Sequence, residues 1–305
     1  MTKRSSFIAV IGAPNAGKST LVNALVGAKI SIVTQKVQTT RARIRGVLTE
    51  GDAQLVFIDT PGIFAPRRRL DRAMVCAAWE GIEGVDAILL VVDASEYTNA
   101  NHNSKSISDT DRILAEFKLR GAKAMLVLNK IDRMARPDLL RVIEKFNETG
   151  LFTETFLISA ENGDGVKDLR AHLLEKAPDG AWMYPEDQLS DISDRFMAAE
   201  VTREKVFKRL HQELPYELTV ETTSWTRNKK GELRIEQTIF VSRAGHRPIV
   251  LGKGGATVKA IGEAARTEIA DILGEKAHLF LTVSVREKWV DERARYREMG
   301  LDYTD

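Results

Sequence analysis

The sequence predicts an α/β protein in which a larger domain with a mostly parallel sheet is followed by a smaller α+β domain. In the first half, short apolar runs rich in β-branched residues are each followed by an amphipathic segment, the pattern of buried strands alternating with helices. After Leu174 this pattern ends in a stretch with proline and glycine but few apolar residues. The length of 305 residues agrees with two domains that each bury their own core.

The first domain is predicted over residues 1–176. Its apolar runs predict buried strands over residues 7–11, 55–58, 87–92, 124–128 and 155–158. A helix is expected over residues 19–25, directly after the first strand. The runs at 44–49 and 54–58 flank a turn-like cluster, Glu50, Gly51 and Asp52, which predicts a hairpin and therefore one antiparallel strand pair.

The linker is predicted at residues 177–192, where Pro178, Gly180 and Pro185 interrupt the pattern. The second domain then covers residues 193–305. Its elements are expected in the order helix, strand, strand, helix, helix, strand, at residues 194–213, 217–227, 234–241, 248–251, 257–273 and 277–286.

Composition and charge exclude several classes of protein. With 43% hydrophobic and 29% charged residues, the chain is neither disordered, collagen-like nor a disulfide scaffold. Its net charge of +2 gives no reason to expect a nucleic-acid partner, which must be argued from a local feature. Cys76 is the single cysteine, so we expect a reducing cytosol. The longest interior apolar run, at 87–92, is far shorter than the about 20 residues that span a bilayer.

A phosphate-binding loop is predicted between the first strand and its helix, where the chain matches GxxxxGK[ST]. Glycines let backbone N–H groups curl around phosphates, and the helix N-terminus adds positive potential. Lys18 would bridge the β- and γ-phosphates, and Ser19 would coordinate Mg²⁺. The predicted nucleotide-binding residues of this loop are Gly12, Ala13, Pro14, Asn15, Ala16, Gly17, Lys18, Ser19 and Thr20.

Guanine recognition is predicted at the ends of two later strands. The Asp132 carboxylate can accept hydrogen bonds from guanine N1–H and the exocyclic amine, a pair of donors that adenine lacks. Lys130 would lay its stem over the base, and Asn129 would tie its loop to the phosphate loop. Ser159 and Ala160 are expected to offer a backbone N–H to guanine O6.

The γ-phosphate and metal are assigned to two further segments. Asp59 ends a strand and fits the carboxylate position near Mg²⁺, while the Gly62 N–H would meet the γ-phosphate. In the segment 38–41, Thr40 is favoured over Thr39 to complete the metal shell. The predicted metal ligands are thus Ser19, Thr40 and Asp59, and the neighbouring nucleotide-binding residues are Thr60, Pro61, Gly62 and Ile63.

The motifs GAPNAGKST, QTTR, DTPG, NKID and ISA, in this order and spacing, resemble the TrmE-Era-EngA group of translation-associated GTPases. The resemblance implies GTP hydrolysis with Mg²⁺. Other GTPases place a water-orienting glutamine where this chain has Ile63, so another device is needed. The resemblance suggests a K⁺ ion held beside Asn15; a cis arginine finger from residues 67–69 is the alternative. The expected catalytic residues are Asn15, Lys18, Thr40 and Gly62.

An RNA-binding turn is predicted in the second domain. Gly252, Lys253, Gly254 and Gly255 form a GxxG turn between two helices, which in KH modules clamps about four single-stranded nucleotides. Phosphate contacts are expected from Arg243, Arg247, Lys253 and Lys259. An apolar groove for bases is expected from Ile249, Val250 and Leu251, with core packing as the alternative. For the three tryptophans Trp182, Trp225 and Trp289, packing is favoured over base stacking.

The combination of a GTPase domain with one KH domain of prokaryotic type resembles the Era branch of this group over nearly the whole chain. The resemblance implies binding to the single-stranded 3′ region of 16S ribosomal RNA and a role in 30S subunit maturation. It further implies a cytoplasmic monomer with peripheral attachment to the inner membrane. Two alternatives stay open: a KH-type RNA-binding scaffold whose nucleotide domain is mainly structural, and an RNA-modification enzyme.

Overall fold

A computed structural model of the chain describes residues 2–34, 36, 39–98, 104–210 and 214–303. Its contacts divide the chain into two compact units. The first unit comprises Met1–Ser31, Thr40–Asp191 and Tyr296–Asp305, and the second comprises Ile32–Thr39 and Ile192–Arg295. None of the helices in the described ranges is long and apolar enough to cross a membrane.

The first unit is built on a six-stranded sheet of order β2-β3-β1-β4-β5-β6. All its neighbouring strands run parallel except β2 and β3, which confirms the predicted mostly parallel sheet and its antiparallel pair. In chain order, the elements of this unit before the linker are β1 (Arg4–Ile11), α1 (Lys18–Val26), β2 (Ile44–Glu50), β3 (Ala53–Asp59), α2 (Arg69–Glu80), β4 (Ala87–Asp93), α3 (Lys105–Arg120), β5 (Ala124–Asn129), α4 (Arg136–Asn147), β6 (Phe152–Leu157) and α5 (Val166–Lys176).

Strand β3 shows why the sequence folds this way, since all seven of its residues are buried. A strand covered on both faces reads as a continuous apolar run, and parallel strands need helical crossovers. Because β1, β3, β4, β5 and β6 are parallel, they end at one edge of the sheet. Ligands of open α/β sheets bind at the carboxyl ends of the strands. Four of the five nucleotide motifs of the sequence lie at these strand ends, and the fifth, at 38–41, lies between α1 and β2.

The second unit pairs three strands in the order β7-β8-β9, with β7 antiparallel and β9 parallel to β8. Helices pack on one face of this sheet, and Val206, Ile239 and Ile261 lie in their common core. Its elements are α6 (Asp194–Arg209), β7 (Leu218–Arg227), β8 (Leu233–Val241), α7 (His246–Leu251), α8 (Ala256–Leu273) and β9 (Ala277–Val285). This order confirms the predicted KH arrangement. The end of the first predicted helix, residues 211–213, lies outside the described residues.

The predicted linker residues 177–191 belong to the first unit because they run alongside its sheet and form hydrogen bonds with β2 and β3. Val47 N donates to Leu189 O at 2.8 Å, and the Gln54 side chain donates to Tyr184 O at 3.0 Å. The C-terminal segment, which contains α9 (Arg293–Glu298), is divided between the units at residue 296. Both assignments differ from the predicted boundaries, because they depend on contacts between residues that are far apart in the sequence.

Candidate active site and nucleic-acid interface

The predicted phosphate loop takes a backbone that only glycine fits at two positions. Gly12 has φ of 154°, and a Cβ there would lie 2.2 Å from the backbone oxygen of Val91. At Gly17, with φ of 97°, a Cβ would lie 2.1 Å from Asn129 Nδ2. Helix α1 begins at the next residue. The loop is therefore threaded tightly between β4 and β5 at a helix N-terminus, an arrangement suited to an anion.

Lys18 lies buried in this loop. Its Nζ donates to Gly12 O at 3.1 Å and to Ala13 O at 3.0 Å. Burial lowers the pKa of Lys18 to about 8, against the attraction of Asp59. An ammonium that is buried and contacts mainly carbonyl oxygens has lost the stabilisation that water gives its charge. A phosphate bound beside it would restore that stabilisation through charge-assisted hydrogen bonds, which favours phosphate binding.

Three oxygen-bearing side chains meet next to Lys18. Ser19 Oγ donates to Asp59 Oδ2 at 2.7 Å and lies 2.8 Å from Thr40 Oγ1. Burial raises the pKa of Asp59, opposed by the Ser19 hydrogen bond, the Lys18 charge and the Ser31 hydroxyl. Asp59 Oδ1 accepts no hydrogen bond of ordinary geometry from the described residues. Hard oxygen donors with an uncommitted carboxylate oxygen are the chemistry that Mg²⁺ prefers.

The structure distinguishes the two candidate threonines. Thr39 Oγ1 lies 2.6 Å from Thr34 Oγ1 and donates to Lys36 O at 2.7 Å, so its hydroxyl is committed within its own segment. Thr40 is the one that reaches Ser19. Gln38, at the start of the same predicted motif, lies outside the described residues.

The turn after β3 packs against the phosphate loop. A Cβ at Gly62 would lie 2.9 Å from the backbone of Pro14, and Thr60 Oγ1 donates to Val10 O at 2.9 Å. Ile63 was predicted among the nucleotide-binding residues, but its side chain is fully buried in the core and its N–H donates to Gly12 O at 3.1 Å. Ile63 therefore supports the loop by packing rather than by facing a ligand.

Asn129 joins three loops through its side-chain amide. Its Nδ2 donates to Ala16 O at 2.8 Å, while its Oδ1 accepts from Lys130 N at 2.8 Å and from Ala160 N at 2.9 Å. The predicted tie between the base loop and the phosphate loop is thus present as a direct hydrogen bond. Asp132 lies three residues further on and is exposed.

The prediction for Ser159 and Ala160 needs correction. The Ala160 N–H already donates to Asn129, and the Ser159 N–H donates to Asp164 O at 3.0 Å. Because both backbone donors have protein acceptors, neither is directed at an incoming base in this geometry. Their clear role is to fix the loop beside Asn129.

The adjacent arginines 67–69 lead into α2, whose first residue is Arg69. Asp71 Oδ2 accepts from the backbone N–H of Arg67 at 3.1 Å and of Arg68 at 3.0 Å. The Arg69 guanidinium lies 4.9 Å from the ring centroid of Tyr303 and donates to its hydroxyl. Arg69 is therefore engaged by the C-terminal segment, which argues against it as a cis arginine finger.

In the second unit, the GxxG turn has the backbone that its glycines permit. Gly252, Gly254 and Gly255 have φ of 72°, 61° and 80°, and a Cβ at Gly252 would lie 2.1 Å from Thr257 Oγ1. Lys253 and Lys259 are exposed, and neither forms an ion pair with the described residues. Such a turn lets a nucleic-acid backbone approach closely with two cations beside it.

Other predicted RNA contacts differ in their environment. Arg243 and Arg247 are exposed; Arg243 Nε lies 3.4 Å from Glu217 Oε2, and Arg247 Nε donates to Val283 O at 3.1 Å. Ile249 is 55% exposed, whereas Val250 is fully buried in the core. Val250 therefore packs and does not offer a surface to bases, because its neighbours on α8 and the sheet cover it.

The tryptophans are explained by packing. Trp289 is fully buried, with its Nε1 donating to Glu217 O at 3.3 Å. Trp182 donates to Asp52 O at 3.1 Å and carries Lys3 Nζ 4.1 Å from its ring centroid. Trp225 packs, partly buried, against the core of the second unit.

A groove that the sequence did not reveal runs between α8 and β9. It has a volume of about 440 Å³ and includes the predicted Lys259. Phe280, on the edge strand, is 47% exposed, and exposed aromatic rings beside cations stack bases. The lining residues are Val258, Lys259, Gly262, Glu263, Arg266, His278, Leu279, Phe280 and Leu281. Only the alternation of strand β9, which turns even-numbered residues outward, could have indicated Phe280.

Comparison with protein families matches both units. Residues 7–130 match the model described as a 50S ribosome-binding GTPase, and residues 213–290 match the KH domain. A solved structure of Era in complex with MgGDPNP and nucleotides 1506–1542 of 16S ribosomal RNA has a TM-score of 0.89 and 33% identity, covering 98% of this chain and 99% of that one. A single-residue variant of Aquifex aeolicus Era bound to GDP·AlF4⁻ has a TM-score of 0.88, also at 33% identity, with 97% and 99% coverage.

Curated relatives are similar along the full length. GTPase Era from Brucella suis is 56% identical over 300 residues, which cover 98% of this chain and 94% of the relative. GTPase Era from Caulobacter vibrioides is 54% identical over 306 residues, covering 98% and 97%. With more than half of its residues shared over nearly its whole length, the chain belongs to the Era family and is a GTPase with a C-terminal KH domain.

Proposed function

We propose that this GTPase is an assembly switch that binds the single-stranded 3′ region of 16S ribosomal RNA and assists maturation of the 30S subunit. The observation that carries the proposal is the GxxG turn, with exposed Lys253 and Lys259, in a chain that also holds a complete phosphate loop. The solved relative bound to MgGDPNP and nucleotides 1506–1542 of 16S ribosomal RNA supports the choice of RNA. Family resemblance supports a cytoplasmic monomer with peripheral inner-membrane attachment.

In the proposed nucleotide site, the loop from Gly12 to Thr20 holds the phosphates and Lys18 supplies charge. Ser19, Thr40 and Asp59 hold Mg²⁺, which neutralises charge on the transferring phosphoryl group when bound. Ser19 Oγ already lies within hydrogen-bond distance of both Thr40 Oγ1 and Asp59 Oδ2, so little rearrangement would be needed. Asp132 accepts from the guanine edge, and Asn129 keeps its loop against the phosphate loop.

Water activation needs a source other than the residue after Gly62, because Ile63 is buried in the core. We assign this task to K⁺ held at Asn15, which is exposed in the phosphate loop and has a left-handed φ of 63°. A cation there would add positive charge beside the phosphates, as an arginine finger does. Equal hydrolysis rates in K⁺ and Na⁺ buffers would rule this out.

The RNA site is proposed to extend from the GxxG turn along the groove, with Lys253 and Lys259 contacting phosphates and Phe280 stacking a base. The test compares Lys253→Ala with Lys230→Ala, which removes the same charge from the exposed β7–β8 turn. Loss of one phosphate contact should reduce the slope of log K against log salt concentration by about 0.7, the value per contact for single strands. It should also lower the affinity for all RNA sequences by the same factor. The control should keep the wild-type slope; equal slopes in all three proteins would refute the assignment.

The natural RNA target is tested by cross-linking RNA to the GTP-bound protein and sequencing it, then repeating with GDP. Enrichment of the 16S 3′ region is the expected result. Enrichment of a different RNA would overturn the proposed target while leaving the GTPase assignment intact.

A further inference from the structure

A buried carboxylate lies beside the base-reading loop and has no part in the function described so far. Asp93 is the last residue of β4 and is only 6% exposed. In the parallel pairing of β4 with β5 it stands in register with Asn129. The sequence marks it only as the charged end of an apolar run.

Both oxygens of Asp93 have defined partners. Oδ2 lies 2.5 Å from Lys130 Nζ, forming an ion pair, and Oδ1 accepts from Ser95 N at 3.1 Å and from Ser95 Oγ at 2.5 Å. The Ser95 contacts cap the short 3₁₀ turn Ala94–Tyr97. The carboxylate is thus fixed on one side by its own chain and presents its other oxygen to the lysine.

Lys130 is held at both ends. Its backbone has a left-handed φ of 64°, uncommon for a residue with a side chain, and its N–H donates to Asn129 Oδ1 at 2.8 Å. At the far end, Asp93 fixes the ammonium. The aliphatic stem between these two anchors is therefore ordered before any nucleotide arrives, which removes an entropic cost from binding.

We propose that Asp93 is a positioning residue of the base site, presetting the Lys130 stem as a platform for the purine ring. This rests on the proposed function, in which Lys130 covers the base. A platform contacts the ring face, so its loss weakens all purine nucleotides alike. The guanine edge, by contrast, is read by Asp132.

The test is a double-mutant cycle measured with fluorescent GDP and, by competition, with IDP. Asp93→Asn keeps the size and an acceptor for Ser95 but removes the charge, and we expect about tenfold weaker binding of both nucleotides. Lys130→Met should weaken binding similarly. In the Lys130→Met background, Asp93→Asn should then have little further effect.

Two variants separate positioning from a merely structural role. Ser95→Ala removes the hydroxyl contact to Asp93 Oδ1 but leaves the contact from the Ser95 backbone N–H and the ion pair, and should change affinity less than threefold. Asp93→Glu restores the charge and should recover part of the affinity lost in Asp93→Asn. If Glu binds worse than Asn, or if the Asn effect persists in full without Lys130, the proposal is overturned.

Failure of this proposal is distinguishable from failure of the proposed function. Unchanged GDP affinity in Lys130→Met would remove the base-platform role of Lys130 itself. Weaker binding in Lys130→Met with unchanged binding in Asp93→Asn would refute only the role of Asp93. Should Asp93→Asn not fold, Asp93→Glu is measured in the wild-type and Lys130→Met backgrounds. A loss of affinity only where Lys130 is present supports the proposal, and an equal loss in both backgrounds, or no loss in either, overturns it.

Discussion

At the scale of single residues, the buried position of Lys18 predicts how the phosphate loop responds when an anionic ligand binds. Its ammonium is buried among carbonyl oxygens, and burial lowers its pKa to about 8. Phosphate oxygens would supply the charge-assisted hydrogen bonds that the loop carbonyls provide only weakly. Binding should therefore raise the pKa of Lys18 toward or above its ordinary value.

Nucleotide binding is accordingly expected to take up protons in mildly alkaline solution. At pH 8 about half of the free protein has a neutral Lys18, so binding should take up about half a proton, against about 0.1 at pH 7. The measurement is calorimetric GDP titration in buffers of different ionisation enthalpy. Lys18→Arg stays charged throughout and should lack this uptake; the same uptake in that variant would place the titrating group elsewhere.

Asp132 provides the residue-scale test of base recognition. Asp132→Asn exchanges one acceptor oxygen for an amine donor, which suits the additional carbonyl of xanthine and not the guanine amine. We expect preference to shift from GTP to XTP by at least about a hundredfold in the ratio of affinities. Competition titration of both nucleotides against fluorescent GDP measures it, with Asp138→Asn on α4 as a matched carboxylate control. Unchanged discrimination would remove Asp132 from the base site.

A site residue could be predicted from the sequence where its contacting residues are also close to it along the chain. Lys18, Ser19 and Gly17 are fixed by a contiguous motif and lie together as expected. Asp93 was missed because its partner Lys130 is 37 residues away, joined to it only by strand pairing. The sequence left Val250 undecided between a groove and the core, because an apolar residue beside a functional turn is compatible with either environment.

At the scale of elements, the strands and helices were predictable because their patterns are periodic. The observed β4 and β5 each extend one residue beyond their predicted ends, and α8 begins one residue before. Extended segments without periodicity were not predictable: residues 177–191 line the first unit through contacts such as Val47 to Leu189. The grouping of the C-terminal segment with the first unit was not predictable either, because it depends on contacts with residues far away in the sequence, such as Arg69 with Tyr303.

That C-terminal segment should contribute measurably to the stability of the first unit. Leu301 is 4% exposed, and truncating a buried leucine leaves a cavity, so Leu301→Ala should lower the free energy of unfolding by about 2–4 kcal/mol. Denaturant unfolding of the full chain measures the change. Asp302→Ala, at the exposed neighbouring position, should stay within about 0.5 kcal/mol of wild type. Equal stability of both variants would mean that the segment is not held in solution.

At the scale of the whole molecule, the segment before Thr40 is what a switch would act through. Residues Ile32–Thr39 group with the KH unit, where Val33 N donates to Glu204 at 2.9 Å and Arg203 donates to Thr39 O. Thr40, one peptide bond later, groups with the nucleotide unit and lies against Ser19. The chain therefore passes directly from the KH unit into the proposed metal shell.

A switch requires unequal RNA affinity in its two nucleotide states, because a ligand shifts an equilibrium only by its differential affinity. We expect the GTP-analogue form to bind the 16S 3′ region about tenfold more tightly than the GDP form, a coupling free energy of about 1.4 kcal/mol. Thr40→Ala should abolish this difference while leaving RNA binding by the GDP form unchanged, since in the proposed site Thr40 completes the metal shell when triphosphate is bound. Thr153→Ala, at an exposed position of β6, should retain the full difference. The measurement is filter binding at fixed salt, and equal affinities of the two wild-type forms would favour the RNA-binding scaffold over the switch.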